Sequence, residues 1–119
     1  SNCRPSYLIR FKLNLTSIVK FDSLNLANNN FKKIVHEFFS TIKQIHTFNL
    51  SNNYNLSIIS LKNIEIRSIE VSNNIKLNDI KMNWSFIKTF YGSNLSKKAL
   101  ENIKFSHMEN LAELDLSFN

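Results

Sequence analysis

The sequence predicts an α/β fold in which short parallel strands stack as successive turns of a solenoid, with short helices and extended limbs on the opposite, convex side. Three observations carry this expectation. One pattern occurs four times: Ser23-Leu-Asn-Leu-Ala-Asn-Asn29, Thr47-Phe-Asn-Leu-Ser-Asn-Asn53, Ser68-Ile-Glu-Val-Ser-Asn-Asn74 and Glu113-Leu-Asp-Leu-Ser-Phe-Asn119. Units led by Phe21, Ile45, Ile66, Ile87 and Leu111 start 24, 21, 21 and 24 residues apart. Within each copy, alternation such as Leu24/Leu26 or Phe48/Leu50 turns two side chains to one face of a short strand and leaves their neighbours on the other.

Written out, the unit is Phe21-x-x-Leu24-x-Leu26-x-x-Asn29, then Ile45, Phe48, Leu50, Asn53, then Ile66, Ile69, Val71, Asn74, then Leu111, Leu114, Leu116, Asn119. Over Phe21 to Asn119 the chain thus resembles the leucine-rich-repeat superfamily, whose signature is L-x-x-L-x-L-x-x-N. That resemblance implies a right-handed, horseshoe-shaped solenoid. It also implies that Asn29, Asn53, Asn74 and Asn119 form a structural ladder, their amides bonding backbone groups of neighbouring coils that burial would otherwise leave unpaired.

Taken in order, residues 1–20 are expected to form an N-terminal cap strand. Tyr7, Ile9, Phe11, Leu13 and Leu15 alternate with Arg10, Lys12 and Asn14, and such a strand would shield the first coil. In the first unit Phe31, Ile34, Val35, Phe38, Phe39, Ile42 and Ile45 fall at spacings of three and four, which predicts an amphipathic convex helix. The units at Ile45 and Ile66 are too short for a helix, so extended return limbs are expected after Leu56/Ile59 and Leu77/Ile80. The unit at Ile87 carries two faults: Gly92 stands in an inward slot and Leu95 in the asparagine slot. Weak local packing is expected there. Leu100, Ile103 and His107 or Met108 predict a second convex helix with Ser96 or Asn94 as its N-cap. A fifth unit ends at Asn119 with its apolar Leu111, Leu114 and Leu116 uncovered. The expectation is a C-terminally truncated array, covered by further repeats or by self-association through this coil.

Composition narrows the function. At 43% apolar and with a single Gly and a single Pro, the chain suits one packed domain without linkers or tight hairpins. No run of about 18 apolar residues and no charged-then-apolar start occurs, so membrane insertion and a leader are not expected in this segment. The net charge of +6 is spread over dispersed lysines without interleaved aromatics, which argues against nucleic acid. Cys3 is the lone cysteine, either a free thiol or half of a cap pair whose partner lies outside the chain. His36, His46 and His107 fall in different units, so no catalytic or metal site is expected, and with one glycine there is no phosphate loop. Glu113 and Asp115 share a strand face, but any exposed strand bearing two acids spaces them this way. No cofactor is expected.

The informative constellation is the concave strand face read down its columns. The first is Ser23, Thr47, Ser68, Thr89, Glu113; the central one Asn25, Asn49, Glu70, Tyr91, Asp115; the third Ala27, Ser51, Ser72, Ser93, Ser117. None holds a lysine or arginine; Arg67 and Lys88 reach only the rim. Water-facing strands need such polar residues in any case. The functional expectation is a neutral-to-acidic surface for a protein partner, anchored by Tyr91 and Phe118. The irregular units look like those of extracellular animal repeats in Toll-like receptors and secreted arthropod immune proteins. This implies a non-catalytic receptor or secreted glycoprotein of innate immunity or the cell surface, although the cysteine-rich flanking caps of those proteins are absent here. The alternative is a cytoplasmic scaffold or regulatory subunit. Five Asn-x-Ser/Thr sequons occur, at Asn14, Asn49, Asn55, Asn83 and Asn94, against about three expected by chance. Asn14 and Asn83 are the expected glycan carriers, because a glycan on Asn49 would cover the concave face.

Overall fold

The computed structural model describes residues 19–119, so Cys3, Asn14 and all but the last two residues of the cap strand expected over 1–20 lie outside the described residues; those two, Val19 and Lys20, already belong to the first strand of the sheet. The alternating segments of the motif copies pair side by side. Strands β1 (Val19–Asn25), β3 (Ile42–Asn49), β5 (Glu65–Glu70), β7 (Thr89–Tyr91) and β8 (Glu113–Asp115) form one five-stranded parallel sheet in the order β1-β3-β5-β7-β8. Between them β2 (Lys33–Val35), β4 (Ile58–Ser60) and β6 (Asp79–Lys81) form a second, three-stranded parallel sheet. From β1 to β7 the chain visits the two sheets alternately. The class is α/β with few helices.

Register follows the motif. Leu24, Phe48, Ile69, Phe90 and Leu114 are Cα partners along one row, as are Ile34, Ile59 and Ile80 across the smaller sheet. Both rows feed one core, in which Ile34, Ile45, Phe48, Leu50, Ile59, Ile66, Ile69 and Val71 are fully buried. The apolar periodicity is therefore what aligns the strands, since a one-residue slip would turn each row to water.

Three expectations are corrected here. The amphipathic helix expected across Phe31–Ile45 does not form; the segment is β2, a 3₁₀ turn over His36–Phe39, then β3. The turn has Val35 at its N-cap, with no side-chain cap bond. Ile34 and Val35 are β-branched and find backbone partners in Ile59 and Ser60 of β4, so strand pairing outweighs helical spacing. The second expected helix forms only in its first part, for Ile103 is already extended and Phe105–His107 is a separate 3₁₀ turn. Ser96 Oγ accepts from the Ala99 N–H at 3.0 Å, opening the α-helix α1 (Lys97–Asn102), and donates to the Leu77 carbonyl at 2.5 Å. The limbs after Leu56 and Leu77 are extended, as β4 and β6.

The third correction concerns Gly92, where loose packing was expected. The glycine is buried, and a Cβ added there would lie 2.6 Å from Phe90 Cε1 and 3.0 Å from Leu95 Cδ1. The two faults compensate each other. Phe90 and Leu95 occupy the room that a side chain at 92 would take, and Phe90 also packs against Trp84 and Phe105 at centroid distances of 6.4 and 6.2 Å.

Candidate functional site

The solvent face of the five-stranded sheet is assembled by the registers. Ser23, Thr47, Ser68, Thr89 and Glu113 are successive Cα partners, and so are Asn25, Asn49, Glu70, Tyr91 and Asp115. Parallel pairing thereby brings Glu70, Tyr91 and Asp115 into one column, with Glu113 beside Thr89 in the next. The Tyr91 hydroxyl donates to Glu113 Oε2, spanning the two columns diagonally. Three carboxylates thus surround one aromatic at the β8 end, with Arg67 and Lys88 off the two columns.

Much of the remaining face is engaged with itself. Asn25 Oδ1 accepts from the Ala27 N–H at 3.0 Å, Asn49 Oδ1 from Ser51 N–H at 3.0 Å and Ser51 Oγ at 2.7 Å, and Asp115 Oδ1 from Ser117 N–H at 2.9 Å. In these three units a local turn closes the end of the strand. The Ser117 backbone bond, then its hydroxyl, hold the Asp115 carboxyl below its ordinary range. Because the folded value is depressed, this contribution is present above the unfolded carboxyl's range and fades as pH falls through the folded one. The third column is not the open surface the sequence suggested. Ala27, Ser51 and Ser72 are buried, and Ser72 Oγ accepts from the Ser93 N–H at 3.1 Å.

The asparagines that follow the strands, buried at Asn29, Asn53 and Asn74 and exposed at Asn119, bond in a row interrupted at Leu95. Each Nδ2 donates to the carbonyl three residues back: Asn29 to Leu26 at 3.0 Å, Asn53 to Leu50 at 2.8 Å, Asn74 to Val71 at 2.7 Å and Asn119 to Leu116 at 2.7 Å. Each later amide also reaches the preceding unit, Asn53 to Leu26, Asn74 to Leu50 and Asn119 to Gly92. Oδ1 of Asn74 accepts from the Asn53 N–H at 2.8 Å, and Oδ1 of Asn119 from the Leu95 N–H at 2.7 Å. Leu95 has no amide to extend, so the side-chain row skips that unit.

A second row escaped the sequence reading. Asn28, Asn52, Asn73, Asn94 and Phe118 all adopt the left-handed backbone conformation, with φ of 60, 60, 63, 53 and 62°. Asparagine tolerates this region better than other side chains, which accounts for the doubled Asn28-Asn29, Asn52-Asn53 and Asn73-Asn74. Side chains link the row: Asn52 Nδ2 donates to Asn28 Oδ1 at 3.0 Å, Asn73 to Asn52 at 2.8 Å and Asn94 to Asn73 at 3.2 Å. The repeated dipeptide was the available signal. Phe118 belongs to this turn position, not to the strand face where the sequence placed it, and its side chain is 89% exposed.

That placement gives a prediction. Phe118→Asn is expected to raise stability by about 1 kcal/mol, by relieving an unfavourable left-handed residue and adding an amide next to Asn94. Urea unfolding of Phe118→Asn beside Phe118→Gly separates the two contributions. A destabilised glycine variant would show that the ring is held by contacts that outweigh its backbone cost.

Other functional candidates stay apart. His36 opens one 3₁₀ turn and His107 closes another, while His46 is exposed on β3. Among the described residues no three His, Cys, Asp or Glu side chains group as metal ligands would. No described helix is long and apolar enough to cross a membrane. Comparison with known protein families, curated proteins and solved structures finds no match to this chain.

Proposed function

We propose that the chain is a leucine-rich-repeat solenoid, right-handed and curved into a horseshoe arc, acting as a non-catalytic protein-binding module through its five-stranded sheet. We place it in an extracellular innate-immune or cell-surface recognition protein. The solenoid reading rests on five copies of one strand in register, alternating with the smaller sheet. The binding reading rests on one observation: the column Glu70, Tyr91, Asp115, flanked by Glu113, gathers negative charge around an aromatic anchor. Such a patch suits a Lys/Arg-bearing segment of a partner. Asn25 and Asn49 hold its uniform floor, Thr47, Ser68 and Thr89 supply hydroxyls beside it, and Phe118 stands outside it.

Panning a random peptide library against the chain tests this. Selected peptides should be basic, and Tyr91→Ala or Glu113→Lys should weaken them at least about tenfold, an energy near 1.4 kcal/mol. Peptides indifferent to both substitutions would move the binding face elsewhere. For compartment, the exposed Asn83 is expected to carry glycan after secretion from eukaryotic cells, with Asn14, while Asn49, half-buried in the central column of the strand face, is not. Mass spectrometry decides it. A functional secreted product without glycan would favour the alternative, an intracellular scaffold or regulatory subunit, which a single cysteine in 119 residues also suits.

Self-association belongs to the same proposal. β8 is an edge strand whose Leu114 is 45% exposed, and edge N–H and C=O groups recruit further strands. Light scattering over a concentration series should show association through this coil. A monomer at high micromolar concentration would mean the edge is self-sealed.

A further inference from the structure

From the turn surface beside the asparagine rows we infer a second binding site, for a neutral polysaccharide chain. The observations are independent of the acidic column. Just after the left-handed row, a parallel line runs from Asn30 through Asn55 to Lys76: Asn55 Nδ2 donates to Asn30 Oδ1, and Lys76 Nζ to Asn55 Oδ1 at 3.0 Å. Between the two lines stand Tyr54 and Ile75, 56% and 51% exposed. They occupy equivalent places in adjacent units, since Leu56 N–H bonds the Asn53 carbonyl and Leu77 N–H the Asn74 carbonyl in identical turns.

The chemistry of this strip fits a sugar. A primary amide has two N–H groups and two acceptor lone pairs. Asn52 and Asn73, in mid-row, each use one side-chain N–H and one acceptor site within their row. What remains is a line of paired donors and acceptors repeating every unit, roughly 4.7–4.9 Å apart as parallel strands are, a spacing on the order of one pyranose ring. Sugar hydroxyls, which both donate and accept, match such a line. Tyr54 offers an aromatic face for the apolar C–H side of the ring and a hydroxyl for its rim. Lys76 is the one formal charge in the strip, too little to hold a polyanion.

Bacterially produced chain, whose sequons are unmodified, is titrated with cellohexaose and maltohexaose while side-chain amide and backbone signals are followed by NMR. At least one oligosaccharide is expected to shift the Asn52 and Asn73 amide signals saturably, leaving Glu70 and Asp115 unmoved. Tyr54→Ala should weaken that binding at least tenfold without altering thermal unfolding, and Tyr54→Phe should retain most of it. No saturable shift with either sugar overturns the inference, as does unchanged affinity in Tyr54→Ala. A response only to a heparin hexasaccharide, abolished by salt, would overturn it in favour of attraction to Lys76.

Discussion

Asn74→Ala is expected to lower unfolding free energy by about 2–4 kcal/mol, and Asn53→Ala by less, within about 1–3 kcal/mol, although both side chains are fully buried. The difference comes from who else serves each backbone group. Asn53 Nδ2 bonds the Leu26 and Leu50 carbonyls, but Asn29 also donates to Leu26 and Asn74 also donates to Leu50. Removing Asn53 therefore leaves both carbonyls a partner. Asn74 supplies the side-chain donor to the Val71 carbonyl, and its Oδ1 is the acceptor for the Asn53 N–H. The unit that would back it up has Leu95 in the amide slot. Alanine at 74 thus strands two buried polar groups, each worth about 1–3 kcal/mol, with some relief from local rearrangement. Urea denaturation of both variants checks the order. Equal losses, or a larger loss for Asn53→Ala, would mean that shared donors do not substitute for one another.

The strand architecture was legible because its signal is a short period with few competitors. Leu24/Leu26, Phe48/Leu50 and Ile69/Val71 allow one inward register, and the Cα pairing follows it. Helical spacing was a weaker guide. Between Phe31 and Ile45 the apolar pattern fits a helix, yet β4 offers hydrogen bonds that a short uncapped helix cannot match; at α1 a capping residue marked the start, but helical spacing through Ile103 and His107 overran its end at Asn102. The columns of the candidate face were also readable, but not which members are free. Whether Ser51 is exposed depends on the Asn49 turn, a tertiary detail that alternation does not encode. The left-handed row was hidden for a different reason. Its asparagines are chosen for backbone conformation, and a reading built on side-chain polarity treats them as surface filler.

The unit that departs from the pattern yields the sharpest test. Gly92→Val, which copies Val71 of the preceding unit, would restore the motif and is nevertheless expected to destabilise by about 1–3 kcal/mol through overpacking. The added Cβ would meet Phe90 Cε1 at 2.6 Å, far inside ordinary contact, and Leu95 Cδ1 at 3.0 Å. Phe90 cannot simply withdraw, because its ring is flanked by Trp84 and Phe105. Phe90→Leu alone should also cost about 1–3 kcal/mol, since a smaller side chain leaves the space beside Gly92 unfilled. Together the two changes exchange volume between neighbouring positions, so the double variant should lose less than the sum of the singles by about 1–2 kcal/mol. Thermal or urea unfolding of the four proteins in this cycle measures that coupling. Strict additivity would show that the glycine and the ring do not share one space, and that the departure at Gly92 has another cause.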